Sequence, residues 1–303
     1  MIKNILLFLK GILFGASNLI PGGSGGTTLV VCGIYEETLS SITTLKSNFK
    51  KSFIFLLILL LGTAVGVITG SLLIKKVLLA SIPFITYCIF GGFIIGTLPT
   101  LIKPYIKKIN IKYIISFLIS LSFVIGLLFI GFSINQSQLE FDSVLQFKDY
   151  LLLFLCGFVG IFAMIVPGVS GILIFMIFGY YSLFLDSINN IYHISGFLDS
   201  IKIILPVALG MLAGILPASF LMKILMKKFP VGTYFAIFGF VIGSIVCLFI
   251  SYFHEYSNPD ILNWILGIVF LIVFTLISFF VSKFASKKNE NIDSIKVKEE
   301  NIE

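Results

Sequence analysis

The stretch NLIPGGSGGTTLVVCGIYEETLSSI, residues 18–42, places a glycine-rich turn between two apolar segments. A second stretch, MIVPGVSGILIFMIFGYYSLFLDSI, residues 164–188, repeats this pattern without a gap. The identical pairs include Pro21 and Pro167, Gly22 and Gly168, Ser24 and Ser170, Gly25 and Gly171, Gly33 and Gly179, Tyr35 and Tyr181, Ser41 and Ser187, and Ile42 and Ile188. Such a series at one constant offset indicates an internal duplication.

The composition excludes a soluble domain. Hydrophobic residues make up 58% of the 303 residues, charged residues only 12%, and the mean hydropathy is +1.11, whereas soluble domains carry about a quarter charged residues. We predict an all-α polytopic membrane protein, because several apolar runs are long enough to span a bilayer. These runs are residues 53–74, 84–102, 113–133, 203–222, 234–251 and 261–282.

The duplication extends through most of the chain. Gly62 and Gly66 correspond to Gly210 and Gly214, and a proline, aromatic and glycine series that begins at Pro83 recurs further along. We predict two repeats, an external linker and a polar, disordered cytoplasmic tail. Their boundaries are residues 1–133 for the first repeat, 134–149 for the linker, 150–282 for the second repeat and 283–303 for the tail.

The segments beside the first glycine-rich turn are too short for a full crossing. At about 1.5 Å per residue, residues 5–20 and 27–35 fall short of a hydrocarbon core about 30 Å thick. We therefore predict a re-entrant helical hairpin in each half, the second formed by residues 150–166 and 172–185. One hairpin plus three transmembrane helices crosses an odd number of times, so the two repeats should be inverted.

The placement of lysine supports the inverted arrangement. All 21 basic residues are lysine, and with both termini in the cytoplasm nearly all of them fall on the cytoplasmic side, as the positive-inside rule expects. The exceptions are Lys75, Lys76, Lys148 and Lys202. Asp186 is expected in an external loop. The lysines sit at the ends of apolar spans, so nucleic-acid binding is not expected despite a net charge of +7.

Both glycine-rich turns could present hydrogen-bond donors to an anion. Inverted repeats with broken elements near the membrane midplane are typical of transporters. Free N–H groups at a helix start, glycines that allow close approach and nearby hydroxyls suit a phosphate. The predicted substrate-binding residues are Pro21, Gly22, Gly23, Ser24, Gly25, Gly26, Thr27 and Thr28 in the first turn, and Pro167, Gly168, Ser170 and Gly171 in the second.

The two motifs, PGGSGG followed by GIYE and PGVSG followed by GYY, resemble the PopT family of bacterial polyprenyl-phosphate translocases over most of the chain. The resemblance implies a cell-membrane flippase that returns undecaprenyl phosphate, the carrier lipid of cell-wall synthesis, from the outer to the inner leaflet. We expect no enzyme activity and no cofactor. Val169 and Ile172 replace Gly23 and Gly26 in the second copy, so we expect the first turn to make the main phosphate contacts.

Two other functions fit parts of the pattern. A small-anion channel or exchanger could use the same helix starts; copurified polyprenyl phosphate would favour the flippase, and lipid-independent chloride flux the channel. Residues 168–171, GVSG, also match intramembrane serine proteases. That chemistry needs a histidine base near the serine, and His193 and His254 fall in expected outer loops.

Acidic and sulfur-bearing residues suggest little further chemistry. Glu36 and Glu37 could couple transport to an ion, but interfacial acids near lysines are the more ordinary interpretation. The cysteines lie in apolar stretches without the paired spacing of metal ligands, so we expect buried thiols and no metal site. These residues are Cys32, Cys88, Cys156 and Cys247.

Overall fold

The computed structural model describes residues 2–21, 25–43, 48–103, 105, 110–134, 141, 145–165 and 170–300. Across these residues the chain forms helices joined by turns, with no strand. The first half contains α1 (Ile2–Ser17), α2 (Gly25–Val31), α3 (Tyr35–Thr43), α4 (Phe49–Leu72), a π-helix (Leu73–Leu79), α5 (Pro83–Ile102) and α6 (Ile111–Ile134). The second half contains α7 (Phe147–Ile165), α8 (Ile172–Ile177), α9 (Tyr181–Asn190), α10 (Phe197–Lys228), α11 (Pro230–Glu255) and α12 (Ile261–Glu300).

Seven helical segments in the described chain are long and apolar enough to cross a membrane. They are Phe49–Leu79, Pro83–Ile102, Ile111–Phe129, Phe147–Met164, Phe197–Lys228, Pro230–Glu255 and Ile261–Phe284. Six coincide with the predicted spans, which confirms the all-α polytopic class. The seventh, Phe147–Met164, is the first arm of the predicted second hairpin. That arm is long enough to cross alone, so the re-entrant depth of this hairpin stays a prediction.

Helix pairing follows the same order in the two halves. In the first half α1 packs along α4, and in the second half α7 packs along α10. The last two helices of each half exchange partners, because α5 packs on α12 while α11 packs on α6. This crosswise pairing joins the halves into one bundle and agrees with the duplication. The inversion of the halves across a membrane stays a prediction.

The glycines that recur in the sequence lie at these helix contacts. A Cβ added to Gly62 of α4 would lie 2.3 Å from the Phe8 carbonyl oxygen of α1, and one added to its counterpart Gly210 of α10 would lie 2.0 Å from the Phe154 carbonyl oxygen of α7. Small residues allow such close helix packing in membrane proteins. The matched glycines therefore make equivalent contacts in the two halves.

The second arm of each predicted hairpin is broken into two helices, so the prediction of a single continuous arm is wrong. Gly33 and Gly179 have φ values of 70° and 74°, a left-handed conformation that glycine adopts without strain. The following N–H bonds back to the carbonyl five residues earlier, Ile34 to Leu29 at 3.0 Å. The equivalent bond in the second half is 2.8 Å. This is the Schellman motif that ends a helix, and it separates α2 from α3 and α8 from α9.

Two predictions about polar segments also need correction. Asp186 lies within α9 and not in an external loop, because the helix that begins at Tyr181 continues to Asn190. The polar tail was expected to be disordered, but the backbone of α12 remains helical to Glu300. Past Phe284 this segment contains no glycine or proline and is rich in lysine and glutamate, which favour helix.

The apolar core is divided unequally between the two hairpins. A large central cluster includes residues of α5, α8, α9 and α11. The first hairpin has a smaller cluster of its own, shared with α4, and its buried members are Leu7, Leu29, Ile34, Phe55 and Leu59. All six residues of α8 are buried, whereas Val31 of α2 is 40% exposed. The second hairpin is thus central and the first is peripheral.

Candidate functional site in the two glycine-rich hairpins

The first turn folds tightly back against the end of α1. The side chains of Ser17 and Asn18 both donate to the Phe14 carbonyl, at 2.9 and 2.7 Å. Gly25, the first residue of α2, lies against the same residues. A Cβ on Gly25 would lie 2.7 Å from Asn18 Oδ1 and 2.8 Å from the Phe14 ring. A side chain at Gly25 would therefore have to displace Asn18 and Phe14, and Pro21 in the same turn is buried.

The two threonines that follow the first turn have different roles. The Thr28 hydroxyl donates to Ser17 Oγ at 2.8 Å, so it ties α2 to the end of α1. Within the part of the chain that the structure describes, the Thr27 hydroxyl makes no hydrogen bond, and Thr27 is only half-buried. Among the described hydroxyls beside this turn, Thr27 is therefore the one that can donate to a ligand. The role of Ser17 was missed in the sequence, where it lies outside the repeated motif.

The described end of the second turn, Ser170 and Gly171, is enclosed by protein. Ser170 is 4% exposed, and its carbonyl accepts the Leu173 N–H at 3.2 Å. A Cβ on Gly171 would lie 2.8 Å from the Gly160 carbonyl oxygen and 2.7 Å from Met164 Cγ. Gly171 thus packs against both the backbone and the Met164 side chain of α7, whereas Gly25 packs against side chains.

Five residues of the predicted site lie outside the described ranges. They are Gly22, Gly23, Ser24, Pro167 and Gly168. Gly26 lies in the first turn of α2. The helices that follow the turns are shorter than predicted, seven residues for α2 and six for α8. Their dipoles are correspondingly small, so a phosphate would depend mainly on individual N–H and hydroxyl donors.

The second hairpin contacts the chain just before the first turn. Tyr181 begins α9, and its hydroxyl donates to the Leu19 carbonyl at 3.1 Å. Leu19 is 3% exposed and belongs to the central cluster. The Tyr181 ring also lies edge-on to Phe90 of α5, with ring centroids 6.2 Å apart. Its repeat counterpart Tyr35 is 41% exposed, so only the second-half tyrosine joins the two hairpins.

A polar network between the halves was not predicted. Lys75 of the π-helix forms an ion pair with Asp186 of α9 at 2.9 Å and also donates to Ser182. Ser71, one turn earlier, donates to the Asn189 side-chain oxygen at 2.6 Å. The sequence signal was a lysine and an acid in apolar surroundings, where charges usually pair. The network gives an acidic partner to Lys75, one of the exceptions in the predicted lysine distribution.

An aromatic cluster lies beside this network. The Tyr87 hydroxyl is 3.4 Å from Glu255 Oε2, and the Tyr87 ring contacts the rings of Tyr252 and Tyr256. Burial, and then the charge of Glu255, raise the pKa of Tyr256 to about 12. Tyr256 therefore stays neutral at physiological pH and remains a hydrogen-bond donor.

The other sequence candidates lie apart from the turns. Glu37 is exposed on α3, beyond the end of α2. Glu36 precedes it in the same helix, and the Glu36 side chain is not among those that the structure describes. His193 lies in the turn after α9, as predicted, whereas His254 lies in the last turn of α11 rather than in a loop. Neither histidine is hydrogen-bonded to Ser170 in the described structure, which gives no support to a serine protease.

The cysteines are consistent with structural thiols. Cys88, Cys156 and Cys247 are buried and Cys32 is partly buried, all as free thiols. Among the residues that the structure describes, no group of three or more histidine, cysteine or acidic side chains is arranged to hold a metal.

Comparison with known proteins identifies the family. The family model described as undecaprenyl phosphate translocase-like matches residues 14–263. A polyprenyl-phosphate transporter of Staphylococcus aureus is 28% identical over 245 residues, which cover 80% of this chain and 84% of the relative. A polyprenyl-phosphate transporter of Vibrio cholerae is 24% identical over 252 residues, 78% of this chain and 75% of the relative. No solved structure matches. The chain is therefore a multi-pass membrane protein that belongs to the undecaprenyl phosphate translocase-like family.

Proposed function

We propose that this protein is a transporter of polyprenyl phosphate that moves undecaprenyl phosphate from the outer to the inner leaflet of a bacterial membrane. Family membership and the names of the two relatives support the lipid class. The direction and the use of the two turns as the phosphate path are our own inference from the sequence and geometry. The N-terminal and C-terminal halves of the chain would then be inverted repeats, with both chain ends in the cytoplasm.

The observation that carries the proposal is the contact between the hairpins. The Tyr181 hydroxyl donates to the Leu19 carbonyl, two residues before Pro21, so the second hairpin is anchored to the entrance of the first turn. In the proposed mechanism this contact would couple a movement of one hairpin to the other. Transporters of this kind hold their substrate where two broken elements of opposite halves approach each other.

The phosphate needs a polar path because a charge is costly in hydrocarbon. The first turn offers the Thr27 hydroxyl and the N–H groups at the start of α2, where Gly25 and Gly26 carry no side chain. These donors would replace water around the phosphate oxygens. The prenyl chain has no such need, and it can stay in the lipid along the exposed apolar faces of the outer helices.

Release also requires that no single site binds too tightly. The chain contains no arginine, so a bidentate guanidinium clamp is absent. A path built from neutral donors, with lysines near its ends, holds the phosphate by several modest contacts. This arrangement suits a protein that must let its cargo go.

Transport by reconstituted protein tests the proposal. Gly25→Val should abolish the movement of a fluorescent short-chain prenyl phosphate between leaflets, because the added carbons would enter the space next to Asn18 and Phe14. Gly126→Val is the matched control, since a Cβ at Gly126 has no atom within 4 Å. It should transport normally.

The same vesicles distinguish the alternative function. A small-anion channel would be favoured if the vesicles showed rapid lipid-independent chloride flux and Gly25→Val left prenyl-phosphate movement unchanged. That result would also rule out a lipid path through the first turn. Thr27→Val, a substitution of similar size, removes a donor without adding bulk, so it shows whether loss of transport reflects phosphate binding rather than misfolding.

A further inference from the structure

A basic cavity lies at the end of the first hairpin that is remote from its turn. It has a volume of about 500 Å³ and is formed by α1, the turn before α3, the start of α3, and α4. Lys3 and Lys10 of α1 and Lys51 of α4 line it, together with the carboxylate of Glu37. This volume is within the range of small-ligand sites.

Among the side chains that the structure describes, three lysines and one acid line this cavity, so positive charge predominates there. In the described part of the chain, the ion pairs join Lys75 to Asp186 and Lys202 to Asp199. None of the three lysines in the cavity is paired in this way, and among the described side chains Glu37 is the acid that lines it. Clustered cations without partners repel one another and attract an anion.

Apart from Asn4, the remaining wall of the cavity is apolar. It is formed by Leu6, Leu7, Ile34, Ile54, Phe55 and Ile58. Leu6 is 52% exposed and Ile54 is 44% exposed, so this wall continues onto the outer surface of the bundle. A free phosphate ion would use only the basic wall. A phosphate attached to a hydrocarbon chain would use both walls.

The site is specific to the first half. The repeat positions that correspond to Lys3 and Lys10 are Asp149 and Cys156, and both are buried. Asp149 Oδ2 accepts the Gln146 N–H at 2.8 Å, and its other oxygen accepts from a tyrosine hydroxyl. In the second half, an acid and a thiol therefore occupy the positions that correspond to the two α1 lysines of the basic cavity. The difference is the one expected if only one end of the path needs to attract an anion.

The cavity is separate from the first turn but lies on the same hairpin. Lys10 is seven residues before the end of α1 at Ser17, roughly 10 Å along the helix. Ile34 and Glu37 follow α2 on its side away from the turn. A headgroup in the cavity and a headgroup at the turn would thus occupy successive positions along one element.

We propose that this cavity binds the phosphate headgroup of a lipid, with the lysine ammonium groups around the phosphate and the hydrocarbon chain along the apolar wall. The ligand is either a phosphomonoester such as the transported polyprenyl phosphate or a membrane phosphodiester such as phosphatidylglycerol. The first source rests on the proposed function, and the second does not.

Lipid titration of the full chain in phosphatidylcholine nanodiscs tests the site. The probes are geranylgeranyl phosphate, phosphatidylglycerol and the uncharged geranylgeraniol. Lys10→Gln and Lys51→Gln should each weaken binding of a phosphate lipid about fivefold, the effect of one lysine near an anionic headgroup. Lys112→Gln is the matched control, because Lys112 is an exposed lysine on α6 that does not line the cavity.

Each outcome decides a different point. Weaker binding of geranylgeranyl phosphate supports the site and identifies the cargo as its ligand, whereas weaker binding of phosphatidylglycerol alone supports it as a phospholipid site. Unchanged binding of both phosphates, or an equal loss with geranylgeraniol, overturns the proposal. Lys3→Gln and Lys51→Gln change exposed side chains, so they keep the test valid if Lys10→Gln unfolds the protein. Failure of the transport function would appear separately, as normal transport by Gly25→Val.

Discussion

The two hairpins have the same sequence pattern but different surroundings. Both contain a glycine-rich turn, a short helix and a glycine with positive φ. In the second hairpin the short helix is wholly buried in the central cluster. In the first, the corresponding helix shares a small cluster with α4 and leaves Val31 and Tyr35 exposed. The duplicated motif is thus buried in the core in the second half and accessible in the first half.

The largest expected difference concerns side chains at matched positions of α2 and α8. Ile177 is 3% exposed and its counterpart Val31 is 40% exposed. Ile177→Ala should destabilise the protein by about 2–5 kcal/mol, because it leaves a cavity in the central cluster. Val31→Ala should cost about 0.5 kcal/mol. Thermal unfolding in detergent measures both, and equal effects would show that the two hairpins are packed alike.

A smaller effect is expected at the ion pair that fixes α9 to the first half. Lys75 and Asp186 retain 30% and 26% of their side-chain exposure, so losing one partner should cost about 1–2 kcal/mol, between the values for surface and buried pairs. The double mutant Lys75→Met/Asp186→Leu should recover part of that loss.

The matched control for this pair is Lys223→Met. Lys223 follows Gly210 and Gly214 at the spacing by which Lys75 follows Gly62 and Gly66, and it is exposed on α10. Its replacement should leave the unfolding midpoint nearly unchanged. A midpoint shift as large as that of Lys75→Met would mean that the pair does not fix the second hairpin.

The hydrogen bond between the hairpins should contribute less to stability. Tyr181→Phe removes the bond to the Leu19 carbonyl and should cost about 1 kcal/mol, while slowing transport because the first turn loses its anchor. Tyr35→Phe at the matched position should change neither property. If the two variants transport equally well, contact through Tyr181 is not part of the mechanism.

The orientation of the halves can be tested with almost no effect on stability. Single cysteines at Asn48 and Ser257, both exposed, are introduced into a background in which Cys32 is replaced by serine. A membrane-impermeant thiol reagent applied to intact cells should label position 257 and leave position 48 protected. The reverse pattern, or labelling of both positions, would contradict inverted halves with the N-terminus inside.

The sequence predicted most of the bundle because its signals were long and repeated. Apolar runs near 20 residues placed six of the spans, and the matched glycines proved to be contact sites between helices. The break after α2 and α8 was missed, although Gly33 and Gly179 were recognised as a pair. A glycine in an apolar segment can serve for close packing or for positive φ, and the local sequence does not distinguish these uses.

The candidate site was only partly predictable. The motif predicted a site at the turns and their glycines, which stays a prediction, whereas Ser17 and Asn18, which contact the start of the first turn, lie outside the motif. The Lys75–Asp186 pair joins residues far apart in the chain, and no periodic pattern reveals such a contact. The same holds for the basic cavity, because Lys51 joins Lys3 and Lys10 only through the packing of α4 on α1.

The central claim is that the first turn carries the phosphate while the second supports it. The most direct measurement is the movement of a short-chain prenyl phosphate across vesicles containing wild-type protein, Thr27→Val or Ser170→Ala. We predict that Thr27→Val slows transport about tenfold, the effect of losing one hydrogen bond to a charged group, and that Ser170→Ala has a smaller effect. The uncharged alcohol should not be transported by any of the three. A greater loss in Ser170→Ala than in Thr27→Val, or equal movement of the alcohol, would contradict the account.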